Sequence, residues 1–339
     1  MKKLSRREFL KKTGLIAGGA LLSKPAVAKA YSKGDSTIYF TDNKANERNW
    51  KIYEKRQEEH IPPPKEPYGV LVDVSKCIGC RRCEWACNEW NQNPNKPIEE
   101  YEKSVSQKHS VFDKIRRPHA GQFTVVNRYY TKEGKPIYVK IQCMHCVHPA
   151  CYAACFVEAF RKTPEGPVIY NPNVCIGCRY CMVACPFDRL AYEYYNAFTP
   201  QVTKCTMCYD RIVQGKPPAC VEICTAGALI FGKRSELLKI ARDRIANNPG
   251  KYVNHIYGEH EVGGTSWLYI SPVPFEEIGF KKLGDTPIPE YSENYLFTVK
   301  MFEIVGSWPL VFGAFYHISR AKKKARATNE GKGDGHEKK

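Results

Sequence analysis

The 339-residue sequence lacks the patterns on which most soluble enzymes depend. Glycines cluster between Gly258 and Thr265, but this stretch lacks the Lys-Ser/Thr pair of a phosphate-binding loop, which argues against a nucleotide site there. No nucleophile–base constellation and no catalytic metal site with an open position can be recognised. The 16 cysteines are also too sparse for a disulfide scaffold, a class with roughly 8–10% cysteine. We therefore expect no residue of this chain to carry out acid–base chemistry.

Positive charge is concentrated at the two ends of the chain. The net charge of +17 suggests a nucleic-acid-binding protein at first sight. However, residues 1–28 hold seven Lys/Arg against one Glu, and residues 320–339 hold eight Lys/Arg against three acids. We therefore interpret the basic ends as a targeting segment and an anchor, and expect no nucleic-acid partner.

Every cysteine belongs to one of four groups of four. The first and third groups follow the C-x2-C-x2-C-x3-C pattern of bacterial ferredoxins, in which three thiolates bind one [4Fe–4S] cluster and the fourth binds a neighbouring one. Zinc would explain the C-x2-C pairs but not the cysteines that follow them. The sequence therefore predicts four [4Fe–4S] clusters in two neighbouring pairs. The groups are Cys77, Cys80, Cys83 and Cys87; Cys143, Cys146, Cys151 and Cys155; Cys175, Cys178, Cys181 and Cys185; and Cys205, Cys208, Cys220 and Cys224.

The distance between groups along the chain predicts how they pair. Only residues 156–174 separate the second group from the third, so these two are expected to share one pair of clusters. The first and fourth groups then form the other pair, which requires the two ends of the cysteine-rich region to fold back on each other.

The segments around the groups predict an α+β protein. A helix is expected to begin at Ser235 as N-cap and to end at Asn247–Gly250. Residues 31–68 have the polar composition of a linker and are expected to form an extended arm, whereas residues 88–118 are expected to form an irregular insertion. Alternating apolar residues predict strands at Val70–Val72, Phe123–Tyr130, Ile137–Ile141 and Ala228–Phe231, with a hairpin between the second and third.

The two ends of the chain predict export and membrane attachment. The run Ser5–Lys11 resembles a twin-arginine export signal, and the apolar stretch Gly14–Leu22 is too short to span a bilayer. Small residues at Ala26–Ala30 suit signal cleavage. The segment Tyr295–Ser319 predicts a transmembrane helix, with a buried amphipathic helix as the alternative. The basic residues that follow it would place the tail in the cytoplasm and the cysteine domain in the periplasm.

At this level of detail the chain resembles the iron–sulfur subunits of the dimethyl-sulfoxide-reductase and formate-dehydrogenase type. The likeness covers roughly residues 68–320 and includes the eleven-residue gap before Cys220. Cys143–Cys146, Gly227–Gly232 and the tail resemble most the membrane-anchored hydrogenase-2 type. The sequence departs from the pattern at Asn88, Phe156 and Thr225, where proline usually follows the fourth cysteine.

The resemblance implies a ligand set for each cluster. His145 and His148 are interpreted as structural, because sixteen thiolates already serve sixteen iron sites. The implied sets are Cys77, Cys80, Cys83 with Cys224; Cys205, Cys208, Cys220 with Cys87; Cys143, Cys146, Cys151 with Cys185; and Cys175, Cys178, Cys181 with Cys155.

The resemblance also implies a non-catalytic electron-transfer subunit. Its partners would be a periplasmic nickel–iron hydrogenase, or alternatively a molybdopterin enzyme or a multihaem cytochrome, together with a quinone-reactive membrane subunit. Two other hypotheses remain open, namely a self-contained quinone enzyme and a cluster-bearing nucleic-acid protein. The expected organisation is a signal peptide (1–30), an arm (31–68), an outer ferredoxin-like module (69–118 and 200–234), an inner hairpin and module (119–199), an extension (235–294), a membrane helix (295–319) and a tail (320–339).

Overall fold

The computed structural model describes residues 44–103, 111–196, 200–295 and 301–330. The predicted signal peptide therefore lies outside the described residues. The chain divides between Ile288 and Pro289 into two compact units, the first of which holds all the cysteines. The helices are α1 (Lys44–Glu58), α2 (Arg82–Asn91), α3 (Ile98–Lys103), α4 (Ala150–Ala153), α5 (Tyr180–Ala184), α6 (Tyr209–Ile212), α7 (Ala219–Glu222), α8 (Arg234–Ala246), α9 (Ile288–Tyr295) and α10 (Met301–Glu330). The strands are β1 (Tyr68–Asp73), β2 (Val125–Tyr130), β3 (Pro136–Ile141), β4 (Phe160–Lys162), β5 (Val168–Tyr170), β6 (Ala191–Tyr192), β7 (Val202–Thr203), β8 (Leu229–Lys233) and β9 (Trp267–Ile270).

A three-stranded sheet with the order β8-β1-β9 organises the first unit. The central strand β1 runs antiparallel to β8 and parallel to β9, so that Val70 lies opposite both Phe231 and Trp267. Successive side chains of a strand point to opposite faces. Val70 and Val72 accordingly pack into the core that contains the cysteines, whereas Leu71 packs against α8 on the other face. The sheet therefore separates the cysteine core from helix α8.

Strand pairing explains why distant cysteines meet. Cys77 follows β1 and Cys224 precedes β8, and the antiparallel register places Val72 opposite Leu229. The two cysteines therefore emerge at the same end of the sheet although 146 residues lie between them in the sequence. The predicted strands on both sides of this ladder are confirmed.

Three short hairpins complete the cysteine unit. The predicted hairpin is confirmed as β2 with β3, with Arg128 opposite Tyr138. Strand β4 follows Cys155 and pairs antiparallel with β5, which leads to Cys175. Strands β6 and β7 in turn connect the third cysteine group to the fourth. Each hairpin returns the chain to the cysteine core after an excursion to the surface.

The predicted extended arm was wrong for its central part, which forms helix α1 instead. Its buried face is small and largely polar, with Ala45, Asn46 and Asn49 inside. The amide of Asp210 donates to Asn49 Oδ1 at 3.1 Å, and Arg56 pairs with Glu165 at 2.9 Å. Tertiary polar contacts of this kind leave no apolar periodicity in the sequence.

Two further predictions were wrong in part, namely the start of helix α8 and the irregular structure of residues 88–118. Helix α8 begins at Arg234 with Lys233 as N-cap, so Ser235 lies in the first turn, where its hydroxyl donates to Glu66. Arg234 fixes this start by donating to the carbonyl of Thr265 at 2.8 Å. The insertion at residues 88–118 is not wholly irregular, because it contains α3.

The predicted membrane span at Tyr295–Ser319 overlaps helix α10, and its residues 296–300 lie outside the described ranges. Among the helices that the structure describes, none is both long and apolar enough to cross a membrane.

Glu84 holds helix α2 against the β2–β3 hairpin. Its side chain is fully buried and pairs with Arg81 at 2.7 Å and with Arg116 at 2.5 Å. It also accepts hydrogen bonds from Gln122 Nε2 at 2.7 Å and from the backbone amide of Val126 at 2.6 Å. Burial acts to raise the pKa of Glu84, but the two guanidinium groups outweigh it, and the pKa is lowered.

We predict that Glu84→Gln lowers the free energy of unfolding by about 3–5 kcal/mol, because it removes the fully buried carboxylate that pairs with Arg81 and Arg116. Since the pKa of Glu84 is lowered in the folded state, this contribution is complete above the ordinary Glu pKa of about 4.3 and declines below it. Urea unfolding of the cluster-loaded protein at neutral and acidic pH measures both effects.

Glu102→Gln is the matched control, because its partner Arg82 lies on the same helix but in an exposed pair. It should cost less than about 1 kcal/mol. Equal effects of the two substitutions would contradict the role assigned to Glu84.

Candidate iron–sulfur cluster sites

The first and fourth cysteine groups converge into two sites. The thiol of Cys77 interacts electrostatically with those of Cys80 and Cys224. Cys87, one turn further along helix α2 than Cys83, interacts instead with the fourth group. Helices α2 and α7 pack together, which brings these residues into one region. We call the two sets site 1 (Cys77, Cys80, Cys83 and Cys224) and site 2 (Cys87, Cys205, Cys208 and Cys220).

The second and third groups converge in the same way. Cys185 interacts electrostatically with Cys143, and Cys151 interacts with both. Cys181 interacts with Cys175, Cys155 and Cys178. Helices α4 and α5, which carry Cys151 and Cys181, pack against each other. We call these sets site 3 (Cys143, Cys146, Cys151 and Cys185) and site 4 (Cys155, Cys175, Cys178 and Cys181).

The four sites form a continuous series. Cys83 of site 1 interacts electrostatically with Cys220 of site 2, and Cys205 of site 2 interacts with Cys143 of site 3. Cys151 of site 3 shares one packed core with the site 4 residue Cys181. The order along the row is therefore 1-2-3-4, with the contact between the two pairs made by sites 2 and 3.

The first C-x2-C loop of each cysteine group has the same backbone feature. The residue before the second cysteine has a positive φ in each, namely 73° at Gly79, 50° at His145, 74° at Gly177 and 54° at Met207. This left-handed conformation curls the loop so that backbone amides turn towards sulfur. In the fourth group the amide of Met207 donates to Cys205 Sγ at 3.3 Å.

Glycine is required in two of these loops for a second reason. A Cβ on Gly79 would lie 2.4 Å from the ring of Tyr138, and one on Gly177 would lie 2.7 Å from the hydroxyl of Tyr192. Each tyrosine therefore packs directly on the loop, and any larger residue would displace it. His145 and Met207 adopt the same backbone conformation with a side chain, at an energetic cost.

The chemistry of the thiols fits an iron–sulfur cofactor. Burial is the main cause that raises the pKa of Cys77, Cys181 and Cys205, in each case to about 12. Without a metal these groups would be protonated at neutral pH, whereas metal ligation requires the thiolate. In the described part of the chain no three His, Cys, Asp or Glu side chains converge closely enough to hold a single ion. A cluster of four irons separates its thiolates more widely than one ion does.

Three lysines beside the cysteines were missed by sequence reasoning. Lys140 and Lys204 are buried, and Lys162 is partly buried. None of them forms a salt bridge with a carboxylate in the part of the chain that the structure describes. Buried ammonium groups need a compensating negative charge, and anionic clusters supply one. Lysine on or next to a short strand is normally expected to face solvent, so nothing in the sequence indicated that these three are buried.

His145 is fully buried, and the backbone amide of Val168 donates to its Nδ1 at 2.9 Å. Burial, assisted by Lys204 and Lys162, lowers the pKa of His145 well below its usual value. The imidazole is therefore neutral, with its proton on Nε2. His148 by contrast is exposed.

Comparison with known proteins agrees with this geometry. Residues 135–234 match the family described as the 4Fe-4S dicluster domain. A protein of Nitratidesulfovibrio vulgaris is 43% identical over 329 residues, covering 96% of this chain and 80% of the relative. The hydrogenase-2 operon protein HybA of Escherichia coli O157:H7 is 38% identical over 267 residues, covering 71% and 81%. The iron–sulfur subunit of the nitrate-inducible formate dehydrogenase of E. coli K12 is 33% identical over 231 residues, covering 65% and 75%.

This chain belongs to the family of iron–sulfur proteins with the 4Fe-4S dicluster domain. Its 16 cysteines hold four [4Fe–4S] clusters, as the count of groups predicted. The ferredoxin-like dicluster fold, with mixed helices and strands, is likewise confirmed. The assignment of individual cysteines to individual clusters stays a prediction.

That assignment can be tested on helix α2, where Cys83 and Cys87 are predicted to serve different clusters. The wild-type protein should contain about sixteen iron and sixteen sulfide per chain. We expect Cys83→Ser and Cys224→Ser to alter the same electron paramagnetic resonance signal. Cys87→Ser and Cys208→Ser should alter a different signal.

If Cys83→Ser and Cys87→Ser changed one and the same signal, the predicted sets would be refuted. Zinc in place of iron in the wild-type protein would refute the cluster account as a whole.

Proposed function

We propose that this protein is the electron-transfer subunit of an exported, membrane-associated oxidoreductase, with two ferredoxin-like modules that each hold two clusters. The observation that carries the proposal is the unbroken row from site 1 to site 4, because a series of neighbouring clusters serves conduction rather than catalysis. Iron–sulfur clusters accept and pass on single electrons when bound. The protein itself holds the clusters, covers them and sets their reduction potentials.

The protein's own groups control the environment of each site. Backbone amides donate to Cys155 Sγ and Cys175 Sγ at 3.3 and 3.4 Å, and Asn91 Nδ2 donates to Cys87 Sγ at 3.6 Å. Hydrogen bonds to cluster sulfur stabilise the more negative, reduced state and so raise the potential. Burial of the thiols excludes water and acts in the opposite direction.

The site 4 end of the row is suited to a redox partner. Cys178 is exposed, unlike the other fifteen cysteines, all of which are described as buried or intermediate. Val183, on helix α5, is 81% exposed. Phe156 and Tyr180, which are adjacent in sequence to the site 4 cysteines Cys155 and Cys181, are also exposed. Exposed apolar residues concentrated at one place indicate an interaction surface. We propose that a partner protein covers this end and exchanges electrons through it.

The preferred catalytic partner is a nickel–iron hydrogenase. The relative HybA is named as a hydrogenase-2 operon protein. Its similarity covers a larger part of this chain than the similarity to the formate dehydrogenase subunit does. A molybdopterin enzyme is the second candidate, favoured by the formate dehydrogenase relative. In either case a quinone-reactive membrane subunit would occupy the other side of the electron route.

Export and membrane attachment complete the proposal. The twin-arginine run at residues 5–11 suits a protein that folds around its cofactors before crossing the membrane. Helix α10 presents exposed apolar side chains, among them Leu310, Phe312 and Phe315, which suits attachment at a membrane or a membrane subunit. The periplasmic side follows from the export signal.

The functional proposal is tested on the complex purified from its native host through an affinity tag on this chain. We expect the visible absorbance of the clusters to bleach when hydrogen gas is added. Bleaching by formate but not by hydrogen would instead identify a molybdopterin partner. Val183→Glu should keep about sixteen iron atoms yet bleach more slowly, because a charge would oppose docking at site 4.

Two outcomes would contradict this function. Quinone reduction by the isolated chain would indicate a self-contained enzyme. Salt-sensitive binding of the cluster-loaded chain to duplex DNA, together with a cytosolic location, would indicate a nucleic-acid protein.

Export is tested by replacing both arginines of the predicted signal. The Arg6→Lys and Arg7→Lys double variant should remain in the cytoplasm with its clusters inserted, as cell fractionation and iron analysis would show. Lys2→Arg and Lys3→Arg together form the control and should be exported normally. Normal export of the Arg6/Arg7 variant would refute the twin-arginine prediction.

A further inference from the structure

Lys140 occupies the space between the first two sites. It lies on strand β3, is only 2% exposed and lines the cavity that also contains all four cysteines of site 1. Its strongest electrostatic partners are Cys220 and Cys205 of site 2 and Cys83 of site 1. The ammonium therefore faces cysteines of two neighbouring sites at once.

The ammonium is held in place by a small buried network. Lys140 Nζ donates to Gln142 Oε1 at 2.8 Å and lies 4.3 Å from the ring centre of Trp267. Gln142 Nε2 in turn donates to the hydroxyl of Tyr269 at 2.6 Å, and that hydroxyl donates to the carbonyl of Lys140 at 3.1 Å. The network fixes the position of the charge without neutralising it, because each of these partners is uncharged.

The clusters favour the charged form of Lys140. Without a metal the facing thiols are protonated at neutral pH, whereas bound clusters place negative charge at Cys220, Cys83 and Cys205 and so favour the ammonium. A fixed positive charge stabilises whichever neighbouring group becomes more negative.

We propose that the ammonium of Lys140 raises the reduction potentials of the clusters at sites 1 and 2 together. Reduction adds one electron to a cluster and makes it more negative, so the reduced form gains more from the ammonium than the oxidised form does. No proton needs to move. The inference rests on the proposed ligand sets, since these define which clusters Lys140 faces.

The effect should be confined to one half of the row. Site 3 has its own lysines, because Lys204 interacts with Cys151, and Lys162 interacts with Cys146 and Cys143. Lys162 Nζ donates to the carbonyl oxygen of His145 at 3.1 Å. The charges near the row are thus distributed by site, and each can be removed separately.

The test is a potentiometric titration of the full-length, cluster-loaded protein followed by electron paramagnetic resonance. In Lys140→Met two of the four signals should require a lower potential for reduction. At a fixed potential we expect the ratio of reduced to oxidised cluster to fall about tenfold for those two, equivalent to about 59 mV for a one-electron couple. Lys140→Arg keeps the charge and should restore both signals.

Two control variants locate the effect. Lys162→Met should shift a site 3 signal and leave the other signals in place. Lys135→Met removes an exposed lysine next to β3 and should shift none. Unchanged titrations in Lys140→Met, an equal shift of all four signals, or the same shift in Lys140→Arg would each overturn the proposal.

Iron analysis separates this inference from the proposal on which it rests. Lys140→Met could lose iron. A loss of about half its iron, while Lys140→Arg keeps about sixteen iron atoms, supports the coupling of Lys140 to sites 1 and 2. Loss of all the iron in both variants shows a purely structural role and overturns the inference. Failure of the ligand sets would appear separately, in the signals of the cysteine variants.

Discussion

The antiparallel pairing of β1 with β8 is the constraint on which the cysteine unit depends. It joins the strand that leads into the first cysteine group to the strand that leaves the fourth, with Val72 opposite Leu229. The intervening chain must then form a closed excursion, and that excursion contains the second and third groups. Loop closure over so long a segment is entropically unfavourable, so the buried ladder and the metal ligands that it aligns have to compensate together.

Much of the site could be predicted because cysteine chemistry is local. A thiolate spacing of two or three residues specifies a loop around a cluster, so the number of clusters followed from the sequence. The hairpin of β2 with β3 followed from a second local pattern, the alternation of apolar residues on both sides of a turn. The geometry at Gly79 and Gly177 agrees, since a tight left-handed turn there favours glycine. His145 and Met207 make the same left-handed turn, but their residue types do not indicate it in the sequence.

What the sequence did not reveal depends on contacts between distant residues. Helix α1 is held by polar partners such as Glu165 and Asp210, which leave no apolar stripe along the helix. The start of α8 shifts to Arg234 because its guanidinium binds the carbonyl of Thr265, a contact that outweighs the capping preference of Ser235. Lys140 alternates with apolar residues on β3 and would be placed in solvent by the pattern alone. Its burial follows from contacts with distant residues, such as the ring of Trp267 on β9, whose centre lies 4.3 Å from Lys140 Nζ.

Two kinds of buried charge stabilise this core, and they differ in what compensates them. Glu84 is neutralised by Arg81 and Arg116 within the protein, so its contribution is independent of the cofactor. Among the described residues, Lys140 Nζ donates to the neutral amide of Gln142 and faces the cysteines of sites 1 and 2. The first kind of charge fixes the architecture around α2, whereas the second is satisfied only when negative charge is present at the cluster sites. Insertion of the clusters therefore completes the electrostatics of the fold, which suits the proposed export of the chain in its folded, cluster-loaded state.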